Sequence, residues 1–305
     1  MVFIGSRLGA TCRTSGFVNN RKIFEHFHDN IYSLSYNMSL MKKKKLMYVH
    51  GYNGSADGCS CRLFRKYMPA DEWEVYGLDY NQDDCAIALK QIREAIEREG
   101  IDLVVGSSLG GFLTLLTTGI QRIVINPCYS PSVELPKLGP NNGLPAPSVE
   151  MVATYAAFEP QLKQMTDDDR RLITAYFAED DELLGDTYWD VFNQDIGWFD
   201  NIPGGHHASE EAVKQICYEF TPEHQLIKKA HQATFKNKES ILRSKICGCF
   251  SCMKTFPPDE VVFMRETDGQ ETAGCPYCYT DAVLGDADGF PITTEFLQKM
   301  HKEWF

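Results

Sequence analysis

The sequence predicts an α/β fold, with a mainly parallel sheet flanked by helices, followed by a small cysteine-rich unit. Short apolar strand patterns alternate with helical patterns between residues 46 and 220, which is typical of parallel sheets covered on both faces. One of these strands, at residues 103–105, ends in a glycine-flanked turn that leads directly into a helical pattern. Near the end of the chain, two Cys-x-x-Cys pairs are separated by 22 residues.

Length and composition limit the class of protein. A chain of 305 residues can hold one large core and a second small unit. No apolar run is long enough to span a bilayer, so we expect no membrane association. The net charge of −12 argues against a broad nucleic-acid-binding surface. Eleven cysteines, five of them within residues 247–278, and the lack of a signal-peptide pattern indicate reduced thiols and a cytoplasmic protein.

The first strand pattern, at residues 46–49, follows a segment without a usable motif. Residues 1–40 are predicted to be a poorly ordered N-terminal extension, and the large domain is predicted to span residues 41–222. The strand is followed by His50-Gly51-Tyr52. A glycine there lets the backbone approach a substrate, and the N–H of Tyr52 is then a candidate oxyanion donor. His50 itself is expected to be structural.

The glycine-flanked turn predicts a nucleophilic serine. A strand, a sharp Gly-x-Ser-x-Gly turn and a helix form the nucleophile elbow of α/β-hydrolases. Side chains two residues before and after the nucleophile would collide with the strand and the helix. Ser108 has Gly106 and Gly110 at these positions, whereas Ser107 would place larger residues there. Ser108 is therefore the candidate nucleophile, and the N–H of Leu109 is the candidate second oxyanion donor.

Further elements place an acid and a histidine near this turn. Strands are predicted at residues 74–78, 122–125, 171–177 and 198–202, with helices at 61–67, 83–99, 109–118, 149–165 and 209–220. Active sites in parallel sheets lie at the carboxyl ends of the strands. The strand at 171–177 is followed by Asp180-Asp181, and the last strand is followed by His206-His207. The order Ser, Asp, His is that of α/β-hydrolases. The residues themselves do not decide whether Asp180 or Asp181 is the acid.

The segment after the fourth predicted strand is rich in Pro, Gly and Asn. Residues 128–150 are therefore predicted to make an excursion over the site. We expect residues 128–165 to set substrate choice.

Residues 46–220 resemble the YqiA-like group of small bacterial esterases within the α/β-hydrolases. The motifs that carry the resemblance are His-Gly-Tyr-Asn-Gly-Ser (50–55), Gly-Ser-Ser-Leu-Gly-Gly-Phe (106–112), Ile-Asn-Pro (125–127), Asp-Glu-Leu-Leu-Gly-Asp (181–186) and Gly-Gly-His-His-Ala (204–208). The resemblance implies that Asp181 is the acid and that His207, rather than His206, is the base. It also implies hydrolysis of carboxylic esters.

These residues predict one mechanism. His207, oriented by Asp181, deprotonates Ser108, which attacks the carbonyl of a small acyl ester or thioester. The amides of Tyr52 and Leu109 bind the oxyanion, and water releases the acyl-enzyme. No cofactor is expected to take part in catalysis.

The two Cys-x-x-Cys pairs predict a structural zinc site. Cys249, Cys252, Cys275 and Cys278 have the spacing of a tetrahedral four-thiolate site, while Cys247 fits that spacing less well. The module is predicted at residues 241–305, after a connector at 223–240. It has 6 basic and 10 acidic residues, which disfavours nucleic acid and favours a stabilising role or a protein partner.

A second function from a different class fits the same residues. The chain would then be a hydrolase-like interaction protein, recruited to a partner through its zinc module, with little catalysis. A fluorophosphonate probe distinguishes the two functions, because only an activated serine reacts with it quickly.

Overall fold

The computed structural model describes residues 42–139 and 143–305. Within these ranges, Lys44–Phe305 forms one compact unit. The extension predicted at residues 1–40 lies outside the described residues. The division into a large domain at 41–222, a connector at 223–240 and a module at 241–305 stays a prediction.

Six strands among the described residues form a central sheet in the order β2-β1-β3-β4-β5-β6. Every neighbouring pair is parallel, so each connection crosses over a face of the sheet. The strands are β1 (Lys44–Val49), β2 (Trp73–Leu78), β3 (Leu103–Ser107), β4 (Gln121–Ile125), β5 (Ile173–Ala178) and β6 (Asp200–Ile202). This sheet confirms the predicted fold class.

Helices cover both faces of the sheet. In the described part of the chain they are α1 (Cys59–Tyr67), α2 (Cys85–Glu99), α3 (Leu109–Leu115), α4 (Pro131–Glu134), α5 (Val149–Ala156), α6 (Asp167–Arg170), α7 (Trp189–Asp195), α8 (Glu210–Tyr218), α9 (Pro222–Gln232), α10 (Lys238–Arg243) and α11 (Thr294–Trp304). Short 3₁₀ turns lie at Leu135–Lys137, Glu159–Gln164, Pro258–Glu260 and Asp286–Asp288.

The strand β1 shows how the two faces are built. Met47 and Val49 belong to one apolar core, and Leu46 and Tyr48 belong to the other, because successive side chains of a strand point to opposite faces. The first core contains residues of α2, α3, α5 and α7, and the second contains residues of α1 and α8. Both faces of the strand are therefore apolar, as a doubly covered parallel sheet requires.

The order of the strands determines where a site can form. Strand β1 lies between β2 and β3, so the chain builds first toward one edge and then toward the other. The loops after β1 and β3 leave the sheet at this reversal, where parallel sheets form a crevice. His50 and Ser108 are the first residues after these two neighbouring strands.

One predicted helix is interrupted. The pattern predicted a helix over 149–165, but α5 ends at Ala156 and is followed by the 3₁₀ turn Glu159–Gln164. Pro160 has no N–H and would clash with the preceding helical turn, so the α-helix does not continue through it. In contrast, α2 ends as expected at Gly100, whose φ of 65° gives the left-handed cap.

The C-terminal module is built from short antiparallel strands around its own core. Three strands, β7 (Cys247–Cys249), β8 (Thr255–Phe256) and β11 (Val283–Gly285), form one sheet, and β9 (Val262–Arg265) pairs with β10 (Glu271–Gly274). The core includes Leu297 and Met300 of α11 and also Ile227 and Ala230 of α9. Part of the predicted connector is thus helical and packs into the core of the module.

No helix within residues 42–139 and 143–305 combines the length and the apolar character needed to cross a membrane.

Candidate active site and metal centre

The turn after β3 holds Ser108 in a strained conformation. Its φ of 56° and ψ of −122° are rare for a residue with a side chain. The two glycines permit the turn, because a Cβ on Gly106 would lie 2.3 Å from the Gly110 oxygen, and one on Gly110 would lie 2.2 Å from the Val49 oxygen. A side chain at either position would therefore collide with the backbone, as expected from the sequence.

Ser107 and Ser108 differ in their place on the turn. Ser107 is the last residue of β3 and is buried, whereas Ser108 occupies the turn itself and is half-buried. The backbone of Ser108 is fixed from several sides: its N–H donates to the Ile125 oxygen at 3.1 Å, and its oxygen accepts from Cys128 at 2.9 Å. The strained residue is therefore held by the neighbouring strand and by the loop that follows it.

The loop after β1 passes close to this serine. A Cβ on Gly51 would lie 3.0 Å from the Cβ and 3.5 Å from the Oγ of Ser108, so only a glycine permits this approach without displacement. In the described residues, the N–H groups of Tyr52 and Leu109 have no protein acceptor, which leaves both available to a ligand. These are the two amides that the sequence predicted as oxyanion donors.

His50 has a structural environment. Its Nδ1 lies 2.8 Å from the Gly51 oxygen, so Nδ1 carries the proton and donates it. The ring stacks on Tyr80 with centroids 4.6 Å apart, and the Tyr80 hydroxyl donates to the His50 oxygen at 2.6 Å. Burial lowers the pKa of His50, which favours the neutral ring. These contacts shape the loop that carries Tyr52.

The acid after β5 contacts a histidine from the loop after β6. Both carboxylate oxygens of Asp181 lie 3.0 Å from Nδ1 of His206, and one of them also accepts the N–H groups of Leu183 and Leu184 at 2.9 Å. Burial raises the pKa of Asp181, but these hydrogen bonds outweigh it and lower the pKa below its usual value of 3.8. Asp181 is therefore the carboxylate at this site, while Asp180 is exposed.

The histidine that Asp181 contacts is His206, not the His207 expected from the resemblance. His206 is 3% exposed, whereas His207 is exposed and meets His206 only through an edge-on ring contact at 5.6 Å. The reason is the path of the loop: Glu182 accepts the backbone N–H of His206 at 2.8 Å. The adjacent residue then lies on the solvent side, although both rings line the same cavity.

Asn126 supports the histidine loop from beneath. Its side-chain amide donates to the His206 oxygen at 2.9 Å and to the Gly205 oxygen at 3.3 Å. Its own oxygen accepts the N–H of Ala178 at 2.7 Å. The sequence placed Asn126 at the end of a strand but did not connect it, or Glu182, to the histidine loop. The Ile-Asn-Pro motif after a buried strand was the available signal.

A cavity of about 580 Å³ contains this cluster. Ser108, His206 and His207 line it, together with the loop at 50–55 and the first turn of α1. Apolar side chains from the excursion after β4 and from the loop after β5 form part of the wall, namely Leu135, Leu138, Leu144, Leu183 and Leu184. A pocket of this size and character suits a small, largely apolar group.

Polar side chains also line the cavity, and Glu134 is one of them. Glu134 is buried, and Lys137 Nζ contacts its two oxygens at 2.8 and 2.7 Å, while the Tyr188 hydroxyl donates to it as well. The neighbouring Cys128 thiol is buried, and burial raises its pKa. Cys128 is therefore a packed, protonated thiol.

The four predicted thiols meet in the C-terminal module. The sulfurs of Cys249, Cys252, Cys275 and Cys278 all lie within 4.8 Å of one another, and the Cys249–Cys278 and Cys252–Cys275 pairs are each 3.6 Å apart. Zn–S bonds of about 2.3 Å at tetrahedral angles place sulfurs about 3.8 Å apart. This cluster can hold a metal ion, and Cys247, as predicted, is not part of it.

The two cysteine pairs have equivalent local structure. The N–H of the first cysteine in each pair donates to the oxygen five residues later, from Cys249 to Lys254 and from Cys275 to Thr280, both at 2.9 Å. Burial raises the pKa of the Cys278 thiol, but hydrogen bonds from Thr280 and from neighbouring thiols outweigh it and lower the pKa to about 6. A thiolate, the form that binds a metal, is thus favoured at Cys278.

Part of the chain matches a known protein family. The family described as Uncharacterised protein family (UPF0227), which is YqiA-like, matches residues 45–183. This match confirms the resemblance stated from the motifs. It includes Ser108 and Asp181 and ends before the histidine loop. A search among curated proteins finds no match.

Several solved structures are similar to this chain. Est1E from Butyrivibrio proteoclasticus is 15% identical, with coverage of 59% of this chain and 88% of its own and a TM-score of 0.44. MGS-MChE2, an α/β hydrolase enzyme from a sediment metagenome of the lagoon of Mar Chica, is 15% identical, with 62% and 92% coverage and a TM-score of 0.45. An esterase from Exiguobacterium antarcticum is 10% identical, with 58% and 90% coverage and a TM-score of 0.42.

Proposed function

Starting from the match of residues 45–183 to a YqiA-like family, we propose that this protein is a serine hydrolase of carboxylic esters or thioesters. Ser108 is the nucleophile, His206 is the base and Asp181 orients that base. The observation that supports this most directly is the shared cavity: a serine in a strained strand-to-helix turn and a histidine hydrogen-bonded to a buried carboxylate both line it.

The geometry supports distinct roles for the acid and the base. Asp181 accepts the Nδ1 proton of His206, which leaves Nε2 free to take the proton of Ser108. Oγ of Ser108 then forms a bond to the acyl carbon, and His206 passes the proton to the departing alcohol or thiol. Water repeats the sequence on the acyl-enzyme and releases the acid, so no cofactor is required for turnover.

The amides of Tyr52 and Leu109 bind the oxyanion in this proposal. Neither N–H has an acceptor within residues 42–139 and 143–305, and they flank Ser108 because Gly51 permits the close approach of its loop. Fixed N–H donors of this kind stabilise the transition state by about 3–4 kcal/mol each. The apolar wall formed by Leu135, Leu138 and Leu144 favours a short apolar acyl group.

The primary test is loss of turnover in Ser108→Ala. Hydrolysis of a short aryl ester by the pure variant should fall roughly 10⁴-fold or more, while its circular dichroism and melting temperature stay those of wild type. A fluorophosphonate should label wild type at Ser108 and should not label the variant. Turnover by Ser108→Ala at the wild-type rate would refute the proposal, and an unreactive wild-type serine would favour the interaction protein instead.

The two adjacent histidines provide a matched pair of variants. We expect His206→Ala to lose turnover nearly as completely as Ser108→Ala, because the base and the nucleophile act as a unit. His207→Ala removes an exposed ring of the same loop without touching Asp181, so it should retain most of the turnover. The reverse result would restore His207 as the base.

We also propose that the Cys249–Cys252–Cys275–Cys278 cluster binds zinc in a structural role. Four thiolates leave no open position for a substrate, and the sulfur spacing fits the ion. Metal analysis of the purified protein should find one zinc per chain. Cys247→Ala is the matched control and should keep that stoichiometry, whereas Cys249→Ser should lower it.

We also propose a cytoplasmic location, based on the state of the cysteines. All ten cysteines in the described ranges are unpaired, as expected in a reducing compartment. Cell fractionation would test this, and disulfide-linked protein recovered from an oxidising compartment would contradict it.

A further inference from the structure

The backbone of His206 depends on side chains for its hydrogen bonds. It lies in a loop that contains Gly204, at φ 105°, and Gly205, and glycines give the backbone more allowed conformations than other residues do. The N–H of His206 donates to Glu182 and its oxygen accepts from Asn126. The peptide groups on both sides of this residue are thus held by two side chains from different parts of the sheet.

Asn126 is itself rigidly placed. It is fully buried, with a φ of 44° that asparagine tolerates better than most residues. Its N–H donates to the Tyr176 oxygen at 2.9 Å, and its side-chain oxygen accepts from Ala178 at 2.7 Å. The amide group therefore links the ends of β4 and β5 to the histidine loop. Asn126 does not line the cavity.

Glu182 acts on the opposite side of the same residue. Its carboxylate accepts the His206 N–H at 2.8 Å, and a Cβ on Gly205 would lie 2.5 Å from that carboxylate. The glycine therefore permits this contact. Asp181, the adjacent residue, holds the ring, so one short loop after β5 fixes both the side chain and the backbone of His206.

We propose that Asn126 and Glu182 are positioning residues that hold His206 in line with Ser108. This inference rests on the proposed serine hydrolase and extends it to residues that do not take part in bond making. Loss of either contact leaves the Asp181–His206 pair on a loosened loop, and a displacement of about 1 Å can cost roughly a hundredfold in rate.

Asn126→Gly tests the first contact, because glycine accepts the positive φ and removes the amide. The rate of fluorophosphonate labelling and kcat per titrated active site should both fall by roughly a hundredfold, with KM unchanged. The matched control is Asn237→Gly: Asn237 is a buried asparagine of the predicted connector whose amide donates to Val283 and whose oxygen accepts from Ala273, both at 2.9 Å and both in the cysteine module. It should lower stability and leave kcat per titrated site intact.

Glu182 provides a test that does not depend on the folding of Asn126→Gly. Glu182→Ala removes the acceptor and should slow labelling, whereas Glu182→Gln keeps an oxygen for the His206 N–H and should restore the rate. Wild-type labelling rates in both Asn126→Gly and Glu182→Ala would overturn the inference, as would an equal fall in Asn237→Gly. If Asn126→Gly fails to fold, the Glu182 pair decides the outcome.

Failure of the proposed function has a separate signature. Wild-type protein that is not labelled at Ser108 would overturn both proposals. Wild-type protein that is labelled, with variants that are labelled just as fast, would overturn only the role of Asn126 and Glu182.

Discussion

The central sheet and the cysteine module reach order by different means. The sheet buries large side chains on both faces, such as Leu46, Phe112 and Tyr155, whereas the module has one smaller core and a cluster of four thiols. A small unit gains too little from apolar burial to offset the entropy of its chain, so a metal commonly supplies the difference. With the proposed zinc bound, this one chain would rely on buried area in the sheet and on ligand bonds in the module.

Strained backbone occurs in both regions, at or beside the groups for which a function is proposed. In the sheet, Ser108 has a φ of 56° and Asn126 a φ of 44°. In the module, Met253 and Tyr279, each following the second cysteine of a pair, have φ values of 59° and 62°. Such conformations persist only where the surroundings impose them: packed strands do this in the sheet, and the cysteine turns do it in the module.

The largest expected effect is unfolding of the cysteine module when its cysteine ligands are substituted or its metal is removed. Cys249→Ser combined with Cys275→Ser, or a strong chelator, should abolish a binding free energy of about 10–16 kcal/mol for zinc in small domains. Hydrogen exchange should then become rapid across residues 241–305 and should remain slow only in the sheet. Ester turnover should survive. Simultaneous loss of protection in β1 and β3 would show that the two regions fold as one.

A substitution that creates a cavity in one core should destabilise only the region to which that core belongs. Phe112→Ala removes a fully buried ring of the sheet and should lower the free energy of unfolding by about 3–5 kcal/mol. Leu297 is equally buried in the module. Leu297→Ala should lower protection against hydrogen exchange in the module and leave protection in the sheet unchanged. Residue-resolved hydrogen exchange measures both, with Val149→Ala, at an 81% exposed position, as a control that should change stability by less than about 0.5 kcal/mol.

Two glycines should differ in how well they tolerate alanine. A Cβ on Gly106 meets the Gly110 backbone oxygen at 2.3 Å, whereas one on Gly248 meets the methyl ends of Ile292 and Leu297 at 2.7 and 2.9 Å. Side-chain ends move more readily than backbone, so we expect a loss of about 3 kcal/mol for Gly106→Ala and of about 1 kcal/mol for Gly248→Ala. Urea unfolding measures both, and equal losses would contradict the explanation.

The smallest expected effect is the loss of the stability contributed by Asp181 at acidic pH. The folded-state pKa of Asp181 lies below its ordinary value of 3.8, so its contribution to stability is present above about pH 4 and is lost as the pH falls through the folded pKa. The difference in unfolding free energy between wild type and Asp181→Asn should therefore be larger at pH 6 than at pH 3. A difference that stays constant across this range would contradict the role of the carboxylate. The measurement is urea unfolding with chelator present, because acid also releases a thiolate-bound metal.

Much of this molecule could be predicted because its constraints are local in the chain. The apolar runs at 46–49 and 103–105 became β1 and β3, and Gly100 capped α2. The helix predicted over 149–165 was wrong beyond Ala156, since the pattern of apolar residues outweighed Pro160 in the prediction. Local rules conflicted there, and the missing N–H of proline decided the result.

The candidate site also has features that neighbouring residues determine and others that only the tertiary structure determines. Spacing was sufficient to place a glycine-flanked serine on a turn and four cysteines around one centre, because steric contacts of a turn and the bite of a Cys-x-x-Cys pair are properties of a few neighbouring residues. Only the folded chain distinguishes His206 from His207, since adjacent residues of an irregular loop point in different directions. In the structure His206 contacts Asp181, and its backbone contacts Asn126 and Glu182, which lie 80 and 24 residues away in the chain and meet it only after the sheet has formed.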